Sequence, residues 1–170
     1  MKKLFALVLA LCLLCSVAMA DELVWAGDVE TAASQIEGEF HTFNEIAIKV
    51  WIPSFLKEIE LNSEDKEEGY IGYFQSEDGE TAVAVQYVDM EGMTLEDFEA
   101  NLRASSDIDQ SSIEAGTVNG LTCLSYKNED NGVLSFTTEK GYILEIVAGP
   151  MSTEGFMNWA PFVFASIQAN

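Results

Sequence analysis

The sequence predicts an α+β fold, with a twisted antiparallel sheet of about seven strands sandwiched between a mid-chain helix and a C-terminal helix. Short runs rich in β-branched and aromatic residues recur along the chain, and turn dipeptides such as Asn119-Gly120 separate them. Apolar residues recur at helical spacing in only two long segments, after Thr94 and after Pro150. Tight turns join antiparallel strands, and few helices among many strands are typical of the α+β class.

The first twenty residues have the pattern of a secretory signal peptide. Lysines at 2–3 form a basic start, residues 4–14 form an apolar core, and residues 18–20 (Ala-Met-Ala) form a small-residue cleavage site. The apolar core is shorter than the roughly 20 residues that a membrane span needs. We therefore expect cleavage between Ala20 and Asp21, secretion to the cell envelope or medium, and no membrane span.

The charge of the chain restricts its partners. The formal net charge is −21 at pH 7, and loss of the two signal-peptide lysines makes it more negative. Such a surface repels nucleic acids and anionic membranes, whereas it attracts cations and basic proteins. We expect no nucleic-acid partner, and weak cation binding stays open.

Beyond the signal peptide, we expect an N-terminal arm over residues 21–37 and a single domain over 38–170. The arm is either loose or a short helix packed by Trp25. Alternating apolar residues predict strands at 40–43 and 46–52, the second ended by Pro53. A loop is expected at 55–61, followed by an acidic connection at 62–68.

The middle of the chain predicts a hairpin and a helix. Strands at 70–75 and 81–88 flank the turn signal Asp78-Gly79. Thr94 is a suitable N-cap, and Leu95, Phe98 and Leu102 form one apolar face three to four residues apart. A polar loop at 104–112 and a strand at 113–118 follow.

The last third predicts three strands and a helix. The strands are expected at 121–126, 133–138 and 142–148, with turns at Asn131-Gly132 and at 139–141. Both faces of 142–148 are largely apolar, which predicts a central strand. Helical spacing follows Pro150, with Ser152 or Thr153 as N-cap. Pro161 interrupts this pattern, so we expect a kinked or two-part helix, or one that begins near residue 160.

The order of several short motifs resembles a known superfamily. These motifs are Ile52-Pro53, TLEDFEANL at 94–102, VNGL at 118–121, EKGYILEI at 139–146 and Ser166-Ile167. Over residues 38–167 the chain resembles the PsbP/Mog-like α-β-α sandwiches and the bacterial secreted proteins similar to them. The resemblance implies an antiparallel sheet between helical layers. It also implies a binding or assembly role, because named members include an extrinsic subunit of the oxygen-evolving complex and a Ran-binding factor. A nuclear role does not fit the signal peptide, and no functional residue of the family matches a position here.

His41 and Cys123 are the candidate nucleophilic pair. His41 is the only histidine, and Cys123 is the only cysteine left after the signal peptide, so no intramolecular disulfide is expected. A Cys123/His41 dyad is one interpretation, and a small buried cysteine on a strand is the other and the favoured one. Structural zinc takes four nitrogen or sulfur ligands, which one histidine and one cysteine do not supply.

Acidic residues suggest one imperfect cation motif. Asp107, Asp109 and Ser111 imitate the start of an EF-hand loop, but the sixth position is Ser112 instead of glycine and the twelfth is Val118 instead of glutamate. We therefore assign no metal ligands to this segment.

Other charged and aromatic residues have structural and functional interpretations. The acidic run at 64–68 is either a solvated loop or a weak cation site. Aromatic side chains suggest either sugar stacking or core packing, and for Trp51 packing is favoured; they are Trp25, Trp51, Trp159, Tyr70, Tyr73, Tyr87 and Tyr126.

The function predicted from these observations is a secreted, non-catalytic domain that binds a protein partner or a small ligand. The alternatives are a small exported hydrolase that uses carboxylates or Cys123, and a cation-binding surface protein. Paired carboxylates are too abundant in this chain to identify a catalytic pair. The sequence therefore assigns no catalytic, cofactor or metal residues.

Overall fold

The structure is a computed structural model that describes residues 22–44, 46–88, 92–137 and 142–170. The expected signal peptide and the expected turn at 139–141 lie outside these residues. The strands are β1 (Glu22–Leu23), β2 (Gly38–Phe43), β3 (Ile48–Pro53), β4 (Leu56–Glu58), β5 (Tyr70–Ser76), β6 (Ala82–Val88), β7 (Glu114–Val118), β8 (Leu121–Asn128), β9 (Asn131–Thr137), β10 (Ile143–Gly149) and β11 (Gln168–Ala169). The helices are α1 (Asp28–Ala33), α2 (Ser63–Glu67), α3 (Leu95–Ala104) and α4 (Ala160–Ala165), with 3-10 turns at Gln110–Ser112 and Phe156–Asn158.

A large sheet forms the centre of the molecule. Its strand order is β1-β7-β8-β9-β10-β6-β5-β4. The seven strands from β7 to β4 in this order pair antiparallel with one another, and the two-residue β1 pairs in parallel with β7. This arrangement confirms the predicted α+β class with a mainly antiparallel sheet of seven strands.

Strand β10 is central and buried on both faces, as its apolar sequence predicts. Leu144 and Ile146 are fully buried in a core cluster with α4 and β3, whereas Ile143 belongs to a second cluster with Phe98 and Leu102 of α3. Successive side chains of a strand point to opposite faces, so β10 supplies both cores. We call the side of the sheet that carries Leu144 and Ile146 the small-sheet face, and the side that carries Ile143 the α3 face.

The small-sheet face is covered by a second sheet, which the sequence analysis did not separate from the first. This sheet has the order β11-β3-β2 and packs its apolar side chains against the large sheet. The backbone N–H of Trp51 in β3 donates to Ser166 Oγ (2.8 Å), which connects the small sheet to the end of α4. Hydrophobic alternation predicts a strand but not the sheet that it joins.

The α3 face is covered in part by α3, at the position predicted. Thr94 Oγ1 accepts the backbone N–H of Asp97 (3.1 Å), and the Asp97 carboxylate accepts the backbone N–H of Thr94 (3.3 Å). This capping box satisfies donors that the first helical turn leaves unpaired. Phe98 and Leu102 are buried and Leu95 is partly buried against the α3 face.

The C-terminal helix begins at Ala160, which is the second of the two alternatives that Pro161 suggested. A 3-10 turn precedes α4, and Pro161 lies in the first turn of α4. Backbone N–H groups in the first turn have no acceptor within the helix, so the lack of an N–H at proline costs no helical hydrogen bond there. The predicted N-cap at Ser152 or Thr153 is wrong, because α4 begins at Ala160 without a side-chain cap. The Ser152 hydroxyl instead hydrogen-bonds to the Asp130 carboxylate.

The predicted turn at Asn131-Gly132 is also wrong. The turn between β8 and β9 lies at Glu129-Asp130, with Asn128 paired to Asn131, so Asn131-Gly132 begins a strand. This register pairs buried Tyr126 with buried Val133, and burial of that pair outweighs the local preference of Asn-Gly for a turn.

The stretch expected to be a loop and an acidic connection contains regular structure. Strand β4 pairs with β5 within the expected loop at 55–61. Helix α2 lies within the expected connection at 62–68 and has a capping box from Asn62. Both elements are too short for a periodic pattern to distinguish from a loop.

The segment before residue 38 packs on the core. Val29, Ala32 and Ala33 of α1 are buried, and the backbone of Asn119 donates to the carbonyl of Leu23 (2.8 Å). Within the described part of the chain, no helix has the length and apolar character to cross a bilayer.

Candidate functional site

Cys123 and His41 do not form a dyad. The His41 ring packs edge-on against Phe74 of β5, with ring centroids 4.7 Å apart. Cys123 lies on β8, four strand positions from β5 in the large sheet. At about 4.8 Å between neighbouring strands, those two strands are roughly 19 Å apart, which is far beyond hydrogen-bond reach.

Cys123 is a core residue, as favoured from its sequence context. Its side chain is 3 % exposed and lies in the core cluster of the small-sheet face. Burial raises the pKa of the thiol from 9.0 to about 11. Because the thiolate is the nucleophilic form, this cysteine is poorly suited to nucleophilic catalysis at neutral pH.

The EF-hand-like residues have a structural role. Asp109 Oδ1 accepts from the hydroxyl (2.6 Å) and the backbone N–H (3.0 Å) of Ser111, and it caps the 3-10 turn. These hydrogen bonds lower the pKa of Asp109. Among the described residues, no three His, Cys, Asp or Glu side chains converge on a point that could hold a metal ion.

Trp51 packs in the core, as favoured over sugar stacking. It is 5 % exposed, and its ring lies against Trp25 with centroids 6.0 Å apart. Gly38 touches the same ring so closely that a Cβ there would overlap it. The indole of Trp51 therefore has no free face for a sugar.

One concave surface of the described residues is a groove of about 500 Å³, which we call the aromatic groove. Its apolar floor consists of Ile36, Phe55 and Trp159. The turn between β5 and β6 forms one side with Ser76, Asp78, Glu80 and Thr81, and the segment before α4 forms the other with Thr153, Glu154, Gly155 and Asn158. The groove thus combines aromatic rings with carboxylates and neutral polar groups.

One aromatic ring of the groove is exposed. Phe55 is 43 % exposed in the short turn between β3 and β4, and its ring stands edge-on to Trp159 with centroids 5.7 Å apart. Met157, beside the groove, is 37 % exposed. Sequence reasoning missed Phe55. The sequence did offer a signal, because Phe55 directly follows Ser54 in a short turn, and an aromatic side chain in such a turn is often exposed.

Three carboxylates line the sides of the groove. The Ser76 hydroxyl (2.6 Å) and the Glu80 backbone N–H (3.0 Å) donate to Asp78 Oδ1, and these bonds lower the pKa of Asp78. Asp78 is therefore ionised at neutral pH. The carboxylates of Glu80 and Glu154 form no hydrogen bond or ion pair with any described residue, so both remain available to a bound group.

A second depression, of about 320 Å³, lies on the part of the α3 face that α3 leaves uncovered. Ala84 and Val147 lie on its floor, and Tyr70 and Tyr73 line one side. A bulge between Tyr70 and Gly72 shifts the pairing with β6 by one residue, so Tyr70 and Tyr73 face the same way. We call this depression the tyrosine groove.

A buried carboxylate lies beside the tyrosine groove, on the same face. Glu145 is 8 % exposed and accepts from the Tyr126 hydroxyl, from Ser135 Oγ (3.2 Å) and from Gln86 Nε2 (2.8 Å). Burial and the negative charge of Glu145 raise the pKa of Tyr126, which therefore remains a donor. Because these partners satisfy Glu145, the cluster is a structural network across four strands.

Comparisons with known proteins give a structural match only. No protein-family model matches the chain, and no curated protein matches its sequence. The chain is similar to the solution structure of cyanobacterial PsbP (CyanoP) from Synechocystis sp. PCC 6803, with TM-score 0.53 and 10 % identity over 79 % of this chain and 94 % of that chain. A crystal structure from Bacteroides thetaiotaomicron VPI-5482 gives TM-score 0.49 and 14 % identity over 79 % of this chain and 49 % of that chain.

The match to CyanoP covers nearly the whole of that protein, and at 10 % identity it concerns the fold alone. It agrees with the motif order from Ile52-Pro53 to Ser166-Ile167 that suggested the resemblance. The sheet topology and the structural match together show that this chain has a PsbP-like fold.

Proposed function

We propose that this protein is a secreted, non-catalytic binding domain that contacts a protein partner through the aromatic groove. The observation that carries this proposal is the exposed ring of Phe55, which rests on the buried ring of Trp159 in a groove also lined by Asp78, Glu80 and Glu154. Exposed apolar surface with a polar rim is typical of interaction sites.

The ionisable groups support binding over catalysis. A general acid or base needs a pKa near the working pH and access to a substrate. Asp78 lines the groove, but its pKa is lowered by hydrogen bonds, so it acts as a charged group. Glu145 and Cys123 are buried, the first satisfied by three donors and the second protonated.

The fold is consistent with the same role. The superfamily resemblance implies binding or assembly proteins, and we extend that role to this chain as part of the proposal. Secretion is also part of the proposal, and it rests on the basic start, apolar core and Ala-Met-Ala site of the first twenty residues.

Photo-crosslinking in the producing cell tests the proposed function. A benzophenone amino acid replaces Met157 beside the groove, and in a control variant it replaces Val24, which is 44 % exposed next to the opposite edge of the large sheet. We expect a discrete crosslinked product from position 157 and none from position 24. The same product from both positions, or none from position 157, would contradict docking at this groove.

A further inference from the structure

We propose that the occupant of the aromatic groove is a basic segment of a partner protein, with an arginine or lysine side chain lying over Phe55. This inference rests on the proposed binding function of the same groove. It adds the chemistry of the occupant, which follows from charge, from the aromatic floor and from the absence of a competing cation.

Charge complementarity is the first argument. Glu80, from the turn between β5 and β6, and Glu154, from the segment before α4, both line the groove, and their carboxylates are unpaired among the described residues. The Asp78 carboxylate is held in place by its own turn. A basic chain in the groove would meet negative charge from both lining segments, and the overall charge of −21 would accelerate its approach.

The floor supplies the second argument. The face of an aromatic ring attracts a cation, and a guanidinium also stacks on it. Phe55 offers an exposed ring that is oriented by its edge-on contact with Trp159. An acidic rim over an aromatic floor suits a cation carried on an apolar stem, such as the side chain of arginine or lysine.

The chain itself supplies no such cation at the groove, within its described part. No lysine or arginine lines the groove. Lys57, in the adjacent strand β4, donates from Nζ to the carbonyl of Ser54 (2.6 Å). A metal ion is a poor alternative, because the described carboxylates do not converge on one point.

The polar residues of the groove favour a peptide over an isolated amine. Thr153 and Asn158 line the side that carries Glu154, and their side chains can bond to the backbone of an extended chain. A volume of about 500 Å³ is within the range of ligand sites, roughly 300–1,000 Å³, and it accommodates one or two side chains with their backbone.

The binding test uses a seven-residue peptide of alternating glycine and arginine, and the same peptide with citrulline, which has nearly the shape of arginine without its charge. Binding to the purified protein is followed by intrinsic tryptophan fluorescence, to which Trp159 contributes, and by calorimetry at low and high salt. We expect the arginine peptide to bind, the citrulline peptide to bind at least tenfold more weakly, and added salt to weaken binding.

Variants locate the contact. Glu80→Gln and Glu154→Gln are each expected to weaken binding roughly two- to fivefold, and Phe55→Leu by a similar factor because the ring is lost but apolar contact is kept. Glu67→Gln, on α2 at the other end of β5, is the matched control with the same change in net charge. Thermal melting of each variant confirms that it is folded.

Three results would overturn the inference. They are equal binding of the arginine and citrulline peptides, an effect of Glu67→Gln as large as those of Glu80→Gln and Glu154→Gln, and binding of free arginine amide as tight as that of the peptide. A crosslinked partner from position 157 together with no binding of the arginine peptide would refute the basic occupant and leave the binding function standing.

Discussion

Removal of the Tyr126 hydroxyl is expected to destabilise the protein, because it takes one donor from the buried Glu145 carboxylate. Tyr126→Phe keeps the aromatic ring in the core cluster on the α3 face and leaves Glu145 with Ser135 and Gln86 as donors. A hydrogen bond to a charged group contributes about 1.5–3 kcal/mol. We therefore expect the free energy of unfolding to fall by about 2 kcal/mol, and the melting temperature to fall by roughly 4–8 °C for a chain of this size.

The assay is equilibrium unfolding in urea at pH 7, with a double-mutant cycle. Glu145→Gln keeps the size of the side chain and removes its charge, and the double variant combines it with Tyr126→Phe. Residues that share one hydrogen bond show interaction energies of about 0.5–3 kcal/mol. Tyr73→Phe is the control, because the Tyr73 side chain lines the tyrosine groove and its hydroxyl has no hydrogen-bond partner among the described residues.

Two outcomes would refute this account of the network. One is a Tyr126→Phe variant whose stability is within about 0.5 kcal/mol of the parent, the range of ordinary surface substitutions. The other is additivity of Tyr126→Phe and Glu145→Gln, which would mean that the two side chains do not interact energetically.

Three further predictions test other parts of the structure. Gly69→Ala should cost about 1–3 kcal/mol more than Gly120→Ala in thermal unfolding, because both glycines have positive φ but a Cβ at Gly69 would also overlap the backbone carbonyl of Tyr87; equal losses would contradict this. Cys123 should contribute a fall of about 2–3 kcal/mol in the free energy of unfolding as the pH rises from 9 through 11, because its thiol keeps its proton in the folded state but loses it in the unfolded state. In alkaline urea titrations the parent protein should therefore lose that much more stability than the Cys123→Ala variant. Thr94→Ala should lower the free energy of unfolding by about 1 kcal/mol through loss of the α3 N-cap, and a neutral result would contradict the observed capping box.

Local chemistry was sufficient to predict much of the fold. The hairpin at Asp78-Gly79, the α3 cap at Thr94 and the central position of β10 follow from turn preferences, capping and apolar patterning within a few residues. The turn at Asn119-Gly120 also follows, since both residues have positive φ. The element order was in turn enough to suggest the PsbP-like fold.

The candidate site could not be predicted, because its residues meet only through tertiary packing. Phe55 and Trp159 are distant in sequence, and their contact depends on how the small sheet and α4 pack on the large sheet. The bulge that aligns Tyr70 with Tyr73 also has no local signal, since it is a shift in pairing with β6. The sequence places Glu145 on the strand that became β10, but it does not predict the network, because the three donors come from three other strands.

The pairing of β11 with β3 has a consequence for the order of folding. Gln168 pairs with Lys49, and the side chain of Asn119 donates to the carbonyls of Ala165 (2.8 Å) and Ile167 (2.7 Å). The hairpin of β2 and β3 therefore lacks its third strand until residues 168–169 have been synthesised. Contacts of such long sequence separation slow folding, so we expect completion of the small sheet to be a slow step, although two of its three strands are encoded early in the chain.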